Sequence, residues 1–323
     1  MPGKRVLFFF TCLVAMATCF PMPAVSGSRS LTVTADQQLG LGDMFFSKGE
    51  YDRAVTAYET FLYFFPDDDK ANYARFRIAM SYFKKEDFQG ALEKFENIYR
   101  DEACGKFRID AGFMAARCYV ALGMRERAVT ILEMLADLSH DNSVRDRAFY
   151  ETGWSCLWTR GSLDDKMLAM AQENFAKISE KSKERLNVGG ILNEIEIARH
   201  GDDGLLSSMK SPRLAGALGV VPGAGYLYCR RPGDALAAFL FNSMMMLAAY
   251  EAFDNGNGAL GAVISVVELG FYGGSIYGSV GAAHKYNKRQ TAFFLDRLRT
   301  SARAGIMPAG RGTGLQFFLQ KPF

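Results

Sequence analysis

Residues 41–66 read LGDMFFSKGEYDRAVTAYETFLYFFP, and this stretch decides how the first half of the chain folds. It places a small residue, Gly42, twelve positions before Ala54. It also places aromatic side chains nine positions before that alanine, at Phe45, and four positions after it, at Tyr58. Because residues three or four apart share one face of a helix, the pattern predicts two amphipathic helices that cross closely at the small residues.

The same pattern returns twice further along the chain. Small residues occupy both crossing positions of all three units: Gly42, Ala54, Ala79, Ala91, Ala116 and Ala128. Equivalent positions in successive units are 37 residues apart each time. A period of this length, with two helices in each unit, predicts an all-α solenoid in which each unit packs on its neighbours.

These residues resemble the tetratricopeptide repeat (TPR), a family of stacked antiparallel helix pairs. The resemblance implies about four repeats over residues 35–200, with a longer loop inside the last one and a capping helix near 186–199. It also implies a concave groove that binds a protein or peptide partner. We therefore expect a TPR-like repeat domain over residues 27–204.

Charge is divided unevenly along the chain. Residues 30–209 hold 23 Lys and Arg against 30 Asp and Glu, whereas the last 40 residues hold 8 against 1. The cations at 177–185 are mixed with glutamates and form no basic stripe, so no nucleic-acid partner is predicted. An acidic body and a basic tail therefore flank a middle segment that is apolar.

The N-terminus has the features of an export signal. Two basic residues precede an apolar run at 6–20, and small residues stand before a cleavage site after Ser26. We expect a signal peptide at 1–26, with an uncleaved anchor or lipidation at Cys19 as the alternatives. All three interpretations place the repeats outside the cytoplasm.

The middle segment has the composition of a membrane domain. Only six charged residues occur among the 70 positions from 214 to 283. Apolar runs at 235–253 and 259–283 predict a transmembrane hairpin, because about 20 apolar residues span a bilayer as a helix. We expect a membrane domain over 205–290 and a basic tail over 291–323.

A third apolar run, at 214–229, is interrupted by Pro222. The Lys and Arg count of the short loops favours a crossing here, which makes three in all. The repeats would then lie in the periplasm, the hairpin in the inner membrane of a bacterial envelope, and the tail in the cytoplasm. If this run is instead re-entrant or interfacial, the tail lies on the same side as the repeats.

The segment Pro222-Gly223-Ala224-Gly225-Tyr226-Leu227-Tyr228, together with the glycines and tyrosines at 270–278, resembles a bacterial membrane-domain family with a Pro-Gly-x-Gly-x-x-Tyr signature. The resemblance implies a membrane hairpin module and no specific chemistry. The candidate residues of this domain combine the signature with polar groups in the apolar runs and with a glycine stripe. They are Pro222, Gly223, Gly225, Tyr228, Asn242, Glu251, Glu268, Gly270, Gly274 and Gly278.

Two packing hypotheses follow for the hairpin. Gly270, Gly274 and Gly278 recur every four residues, and such a stripe lets membrane helices touch closely. We expect the stripe to serve the hairpin itself, with self-association as the alternative. Asn242 and Glu268 lie at similar levels when counted from the turn between the helices. We therefore expect the Asn242 amide to hydrogen-bond the Glu268 carboxyl group.

No sequence motif points to catalysis. The chain has 3 His, and its Gly256-x-Gly258-x-x-Gly261 motif lies between apolar helices, whereas a dinucleotide site would follow a strand. We predict no catalytic residue, cofactor or metal site. The predicted function is a membrane-anchored TPR scaffold that binds protein or peptide partners and contacts membrane lipid. The alternative is a small transport or channel-associated component, which the acidic residues Glu251 and Glu268 would favour.

Overall fold

The computed structural model describes residues 32–158 and 161–304. Over these ranges the chain is helical and contains no strand. The predicted fold class is confirmed: a helical-repeat solenoid is followed by two long apolar helices. The signal peptide expected at 1–26 and the last part of the basic tail lie outside the described residues.

Four antiparallel helix pairs build the solenoid, and a short 3-10 turn joins the second pair to the third. The paired helices are α1 (Ala35–Ser47) and α2 (Tyr51–Phe64), α3 (Ala71–Lys84) and α4 (Phe88–Arg100), α5 (Lys106–Ala121) and α6 (Arg125–Leu138), and α7 (Asn142–Leu157) and α8 (Asp165–Ala176). Three further helices follow: α9 (Glu180–Arg185), α10 (Val188–His200) and α11 (Leu205–Ser208). Helix α10 lies where the sequence predicts a capping helix.

The turns inside the first three pairs share one backbone conformation. Gly49, Glu86 and Gly123 are spaced 37 residues apart and have φ angles of 78°, 65° and 79°. This left-handed conformation costs glycine little, which explains its presence at two of the three positions. At the start of the solenoid, the Thr34 hydroxyl accepts a hydrogen bond from the Gln37 N–H in a capping box.

The small residues of the repeat lie where two helices approach most closely. Ala54, Ala91 and Ala128 have no exposed surface. A Cβ atom added at Gly42 would lie 2.5 Å from the Tyr58 ring, so this position admits no side chain without a shift of that ring. In the fourth pair, a Cβ atom added at Gly153 would likewise overlap a phenylalanine ring of α8. The 37-residue pattern thus corresponds to a repeated close contact between paired helices.

Four further helices follow in the described chain: α12 (Pro212–Leu218), α13 (Ala224–Tyr228), α14 (Pro232–Asp254) and α15 (Gly258–Ala304). The expected third crossing is wrong, because the run at 214–229 forms the two short helices α12 and α13. The break between them contains Gly223 at a φ of 85°. A helix of 7 residues rises only about 10 Å, whereas the hydrocarbon core is about 30 Å thick. Within the described chain, only α14 and α15 are long and apolar enough to cross a membrane.

Helix α15 continues well beyond the apolar run and joins the repeat domain. Its 47 residues extend about 70 Å. Near its end, Phe294, Leu298 and Ala302 are buried in the same apolar cluster as Ile191 and Ile195 of α10. The first part of the expected tail therefore lies beside the repeats. This corrects the topology in which the tail and the repeats occupy opposite sides of the membrane.

Hydrogen bonds and an ion pair strengthen this contact. The Leu163 N–H donates to the Thr291 hydroxyl at 3.2 Å, and Asn187 Nδ2 donates to the Ser301 carbonyl at 2.7 Å. The Arg297 guanidinium lies 3.3 Å from a Glu194 carboxylate oxygen. The end of α15 is consequently an integral part of the folded solenoid.

Candidate functional site

A polar cluster lies at the start of the solenoid, between the first two repeats. The hydroxyl groups of Tyr58 and Tyr73 both donate to Asp43 Oδ1, at 2.6 and 2.8 Å. Arg77 lies 3.2 Å from the same oxygen, and its guanidinium stacks 3.6 Å from the centre of the Phe46 ring. Three helices, α1, α2 and α3, therefore contribute to one hydrogen-bonded group.

Burial and the hydrogen bond to Asp43 both raise the pKa of Tyr58 and of Tyr73, the latter to about 12. Both phenols are therefore neutral donors near pH 7. Arg77 supplies the positive charge of the group, and its side chain keeps 21% of its surface exposed. Arg77 also donates from Nε to the Tyr58 hydroxyl at 3.0 Å, and its remaining N–H groups are available to a carboxylate or to a backbone carbonyl of a bound partner.

A second charged network links the third and fourth repeats. Arg117 on α5 forms an ion pair with Glu151 on α7 at 2.7 Å, with the two side chains 6% and 1% exposed. Arg147 contacts the same glutamate at 3.2 Å and reaches Asp110 at 3.0 Å. A buried, fully engaged network of this kind joins repeats and leaves little room for a ligand. The Asp43–Arg77 cluster at the start of the solenoid thus remains partly accessible, whereas the Arg117–Glu151 pair is buried.

The signature residues at 222–228 converge on one small junction. The glycine at 225 is buried, and a Cβ atom there would overlap the Ala215 carbonyl oxygen of α12 and the Ser279 side chain of α15. Gly223 packs equally closely against the Ala235 carbonyl oxygen of α14. The signature is therefore explained by close packing among α12, α13, α14 and α15. Pro222 lies in the break that precedes α13.

The two tyrosines of the signature fasten this junction. The Tyr226 ring packs on Gly278, where a Cβ atom would overlap its hydroxyl group. The Ser211 N–H donates to the Tyr228 hydroxyl at 3.0 Å. Sequence reasoning missed the role of Asn287, whose side chain donates to the Lys210 carbonyl and accepts from the Lys210 N–H, both at 2.8 Å.

The two long helices pack along a seam with a period of seven residues, which sequence reasoning also missed. The buried seam residues of α14 include Ala235, Asn242 and Ala249. Those of α15 include Gly261, Glu268 and Ser275. A seven-residue repeat on both helices is typical of left-handed, coiled-coil-like packing.

The glycine stripe does not form this seam. A Cβ atom at Gly270 or Gly274 would have no protein atom within 4 Å. The expectation that the whole stripe brings the hairpin helices together is therefore wrong, and only Gly278 makes a close contact, with Tyr226. Gly270 and Gly274 instead border an open cleft of about 320 Å³ that also borders Asn242.

The expected hydrogen bond between Asn242 and Glu268 is absent. Asn242 Nδ2 donates to the Ala238 carbonyl of its own helix at 2.6 Å. The Asn242 side-chain oxygen and both carboxylate oxygens of Glu268 are buried without a hydrogen-bond partner. Glu251, the other acidic candidate, is exposed near the turn at the far end of the hairpin. The seam thus contains two polar side chains that do not hydrogen-bond each other.

Over residues 32–158 and 161–304, no group of three His, Cys, Asp or Glu side chains could hold a metal ion. The four cysteines in these ranges are buried and free. The buried Cys118 thiol has its pKa raised to about 12, chiefly by burial. A thiol in this state is a packing group and a poor nucleophile.

Comparison with known proteins identifies the repeats. The family model of the tetratricopeptide repeat matches residues 38–68 and 110–142. No curated protein matches the chain. Among solved structures, the chain is similar to that of the Rap conjugation gene regulator of the plasmid pLS20 in complex with the Phr* peptide. That match has 14% identity, a TM-score of 0.38, and coverage of 96% of this chain and 89% of the other. The repeats of this chain at 38–68 and 110–142 are thus tetratricopeptide repeats, the first and third units of the 37-residue pattern.

Proposed function

We propose that this protein is a non-enzymatic, membrane-anchored TPR adaptor of the bacterial envelope. Its repeats bind a protein or peptide partner, and its apolar hairpin anchors them in the inner membrane. The observation that carries the proposal is the continuity of α15, which runs from the turn of the hairpin into the buried end of the solenoid. A partner bound by the repeats is therefore held at a defined place above the membrane.

The surface of the hairpin supports a membrane environment. Only 17% of the apolar stretch of either long helix is buried, whereas a core helix of a soluble protein would be mostly buried. Large apolar side chains such as Leu236, Phe239, Met244 and Leu247 are exposed on α14. An exposed apolar surface of this extent requires lipid or a protein partner to cover it.

The partly exposed cluster around Asp43 and Arg77, at the start of the solenoid, is the proposed partner site. Arg77 and Asp43 offer one charge of each sign beside the Phe46 and Tyr73 rings. Such a mixture suits a peptide segment that presents a carbonyl or carboxylate group beside an apolar side chain. The exposed aromatic pair Tyr63 and Phe64, at the end of α2, adds apolar surface on the same repeat.

A cross-linking experiment tests this site. Gly40 is exposed on α1, stands 37 residues before Arg77, and has open space where a side chain would begin. A photo-reactive residue at Gly40 should capture a specific partner in cells, and Arg77→Ala should reduce that capture. The matched control places the photo-reactive residue at Thr130, which is exposed on α6. Equal capture at both positions, or capture that is insensitive to Arg77→Ala, would reject the site.

We place the repeats in the periplasm, because the N-terminal run has the features of an export signal. The basic residues that flank the hairpin all lie on its repeat side, and the positive-inside rule alone would favour the opposite orientation. The orientation is therefore the part of the proposal that depends on the N-terminal segment. Labelling of single cysteines from each side of the membrane decides it.

A second function, in transport, is favoured by one observation. Glu268 is a buried carboxyl group without a hydrogen-bond partner inside the apolar hairpin, and such groups often bind or relay ions. In sealed vesicles that contain the full chain, a transport component would carry a proton or cation flux that Glu268→Gln abolishes. The adaptor predicts no flux above that of protein-free vesicles.

A further inference from the structure

Cations gather at the base of the hairpin, where it meets the repeats, and we call this group the basic collar. Three separate segments contribute its members: Lys210, Arg213, Arg230, Arg231, Lys285, Lys288 and Arg289. All of them except Lys210 are exposed. The collar lies where the exposed apolar surfaces of α14 and α15 begin.

Hydrogen bonds at the junction fix these segments to one another. The two bonds between Asn287 and the Lys210 backbone hold the start of α12 against α15. The Ser211 N–H donates to the Tyr228 hydroxyl and so holds the end of α13 to the backbone next to Lys210. Lys210 Nζ also lies 4.8 Å from the centre of the Tyr228 ring. The collar is therefore positioned before any ligand binds.

Most collar cations have no carboxylate to neutralise them. Arg231 forms an ion pair with Asp234. Five others form no ion pair with any residue in the described part of the chain: Arg213, Arg230, Lys285, Lys288 and Arg289. An anionic ligand would find these charges exposed and unpaired.

The opposite end of the hairpin has the reverse character. Residues 232–284 contain no Lys or Arg, and the turn region there carries Glu251 and Asp254. The hairpin thus has one basic end and one acidic end, separated by the apolar length of α14. Such an asymmetry lets the hairpin respond differently to the two faces of a membrane, because their surface charges differ.

We propose that the basic collar binds the anionic headgroups of phospholipids in the leaflet that faces the repeats. The collar adjoins the exposed apolar surface, so an anion bound to the collar lies at the level where that surface ends. In a bilayer, this is the level of the lipid phosphates. A nucleic acid would have to lie against apolar side chains to reach the same cations. The inference rests on the proposed membrane anchoring and adds to it a lipid class and a leaflet.

Spin-labelled lipids test the collar in vesicles of phosphatidylcholine that contain the full chain. Electron spin resonance gives the relative association of labelled phosphatidylglycerol and labelled phosphatidylcholine with the protein. We expect the anionic lipid to be preferred by roughly 5-fold or more, since each basic residue near an anionic surface contributes a factor of about this size. Because the contact is electrostatic, 1 M salt should largely remove the preference.

Two matched variants locate the effect. The collar variant changes Arg213, Arg230, Lys285, Lys288 and Arg289 to Gln, and its preference should fall to nearly one. The control variant removes the same charge from exposed cations of the repeats: Lys48, Lys106, Lys166, Lys181 and Arg185. It should keep the preference of the unmodified protein, and an equal loss in both variants would overturn the assignment to the collar.

Failure of the collar and failure of membrane anchoring give different results. A protein that stays in carbonate-washed vesicles but shows no lipid preference contradicts the collar and leaves the anchor intact. A protein that washes off contradicts the anchor itself. If the detergent-solubilised chain bound a DNA duplex through the collar cations more tightly than phosphatidylglycerol micelles, the surface would belong to nucleic acid and the proposal would be wrong.

Discussion

Asn242 and Glu268 face the same seam between α14 and α15, yet neither hydrogen-bonds the other. Counted from the turn, Asn242 stands opposite residue 270, so Glu268 is two residues nearer the turn. The amide is satisfied on one side by its own helix, and the carboxyl group has no partner. The seam therefore retains a polar group whose burial costs free energy.

Replacing that carboxyl group should stabilise the hairpin. Glu268→Met keeps a similar side-chain volume and removes a polar group whose burial in a membrane helix costs about 2.5 kcal/mol or more. We expect a higher midpoint of thermal unfolding in detergent. A thiol-reactive dye monitors the unfolding by reporting the exposure of the buried cysteines. Glu251→Met, at an exposed position, is the control and should change the midpoint much less. A lower midpoint for Glu268→Met would show that a ligand or a second subunit pairs with the carboxylate.

The junction should tolerate alanine at some glycines and not at others. Gly225→Ala forces a Cβ atom against the Ala215 carbonyl oxygen, and overpacking of this kind costs about 1–3 kcal/mol. Gly274→Ala adds the same atom where no other lies within 4 Å. We expect only Gly225→Ala to lower the midpoint in the thiol assay. Equal losses would mean that Gly274 touches something in the membrane, as self-association requires.

The end of α15 should contribute to the stability of the repeats. Leu298 is fully buried, and Leu298→Ala should cost about 2–5 kcal/mol in the free energy of unfolding. Phe293→Ala, at a neighbouring position that is 64% exposed, should be nearly neutral. Circular dichroism during thermal unfolding measures both. By the same argument, a fragment that ends at residue 204 exposes the apolar cluster around Ile191 and should be less stable than the full chain or should aggregate.

Accessibility labelling tests the topology. Single cysteines at Asp202 and Asp296 should react with the same membrane-impermeant reagent from the same side of sealed vesicles. A cysteine at Asn255, in the turn, should react only from the other side. In intact cells, labelling at 202 and 296 without labelling at 255 supports periplasmic repeats, and the reverse pattern supports the orientation that the basic collar favours. Labelling of 202 and 296 from opposite sides would contradict the two-helix topology.

The Tyr58–Tyr73 pair should make the first repeats sensitive to alkaline pH. Both phenols have raised pKa values in the folded protein, to about 12 for Tyr73, against about 10 in the unfolded chain. Their contribution to stability is therefore complete below about pH 10 and is lost as the pH rises through the folded pKa. Tyrosinate absorbance against pH should show late-titrating groups that also include Tyr119 and Tyr150, because burial raises the pKa of these phenols too, and Tyr73→Phe should remove one late-titrating group. Titration of all tyrosines near pH 10 would contradict the Asp43 cluster.

The repeats could be predicted because their signal is local and repeated. Gly42 and Tyr58 lie within one unit, and the same offsets return in two further units. The two long helices α14 and α15 were predictable from the apolar runs at 235–253 and 259–283. The division of the first run into α12 and α13 was harder to predict, because it depends on Gly223 packing against α14, a contact between separate segments.

The seam and the docking of α15 were missed for different reasons. The seam residues of α15 are chemically diverse, from Gly261 to Glu268 and Ser275, and the more conspicuous four-residue glycine spacing obscured their period of seven. The docking residues Phe294 and Leu298 stand in a region whose basic composition suggested a solvated tail. Their helical spacing, continued at Ala302, was readable as an amphipathic helix. The surface that they cover could not be identified without the folded solenoid.

The unbroken helix α15 fixes the distance between its apolar run and the repeats. Its apolar run ends near residue 283, and 21 residues remain before the helix ends against the repeats at Ala304. At 1.5 Å per residue, the docked end of the solenoid lies within about 30 Å of the end of the apolar run. Because a continuous helix has no hinge, the reach of the repeats is set by residue count, and inserting a turn would raise their docked end by about 5 Å while rotating it little.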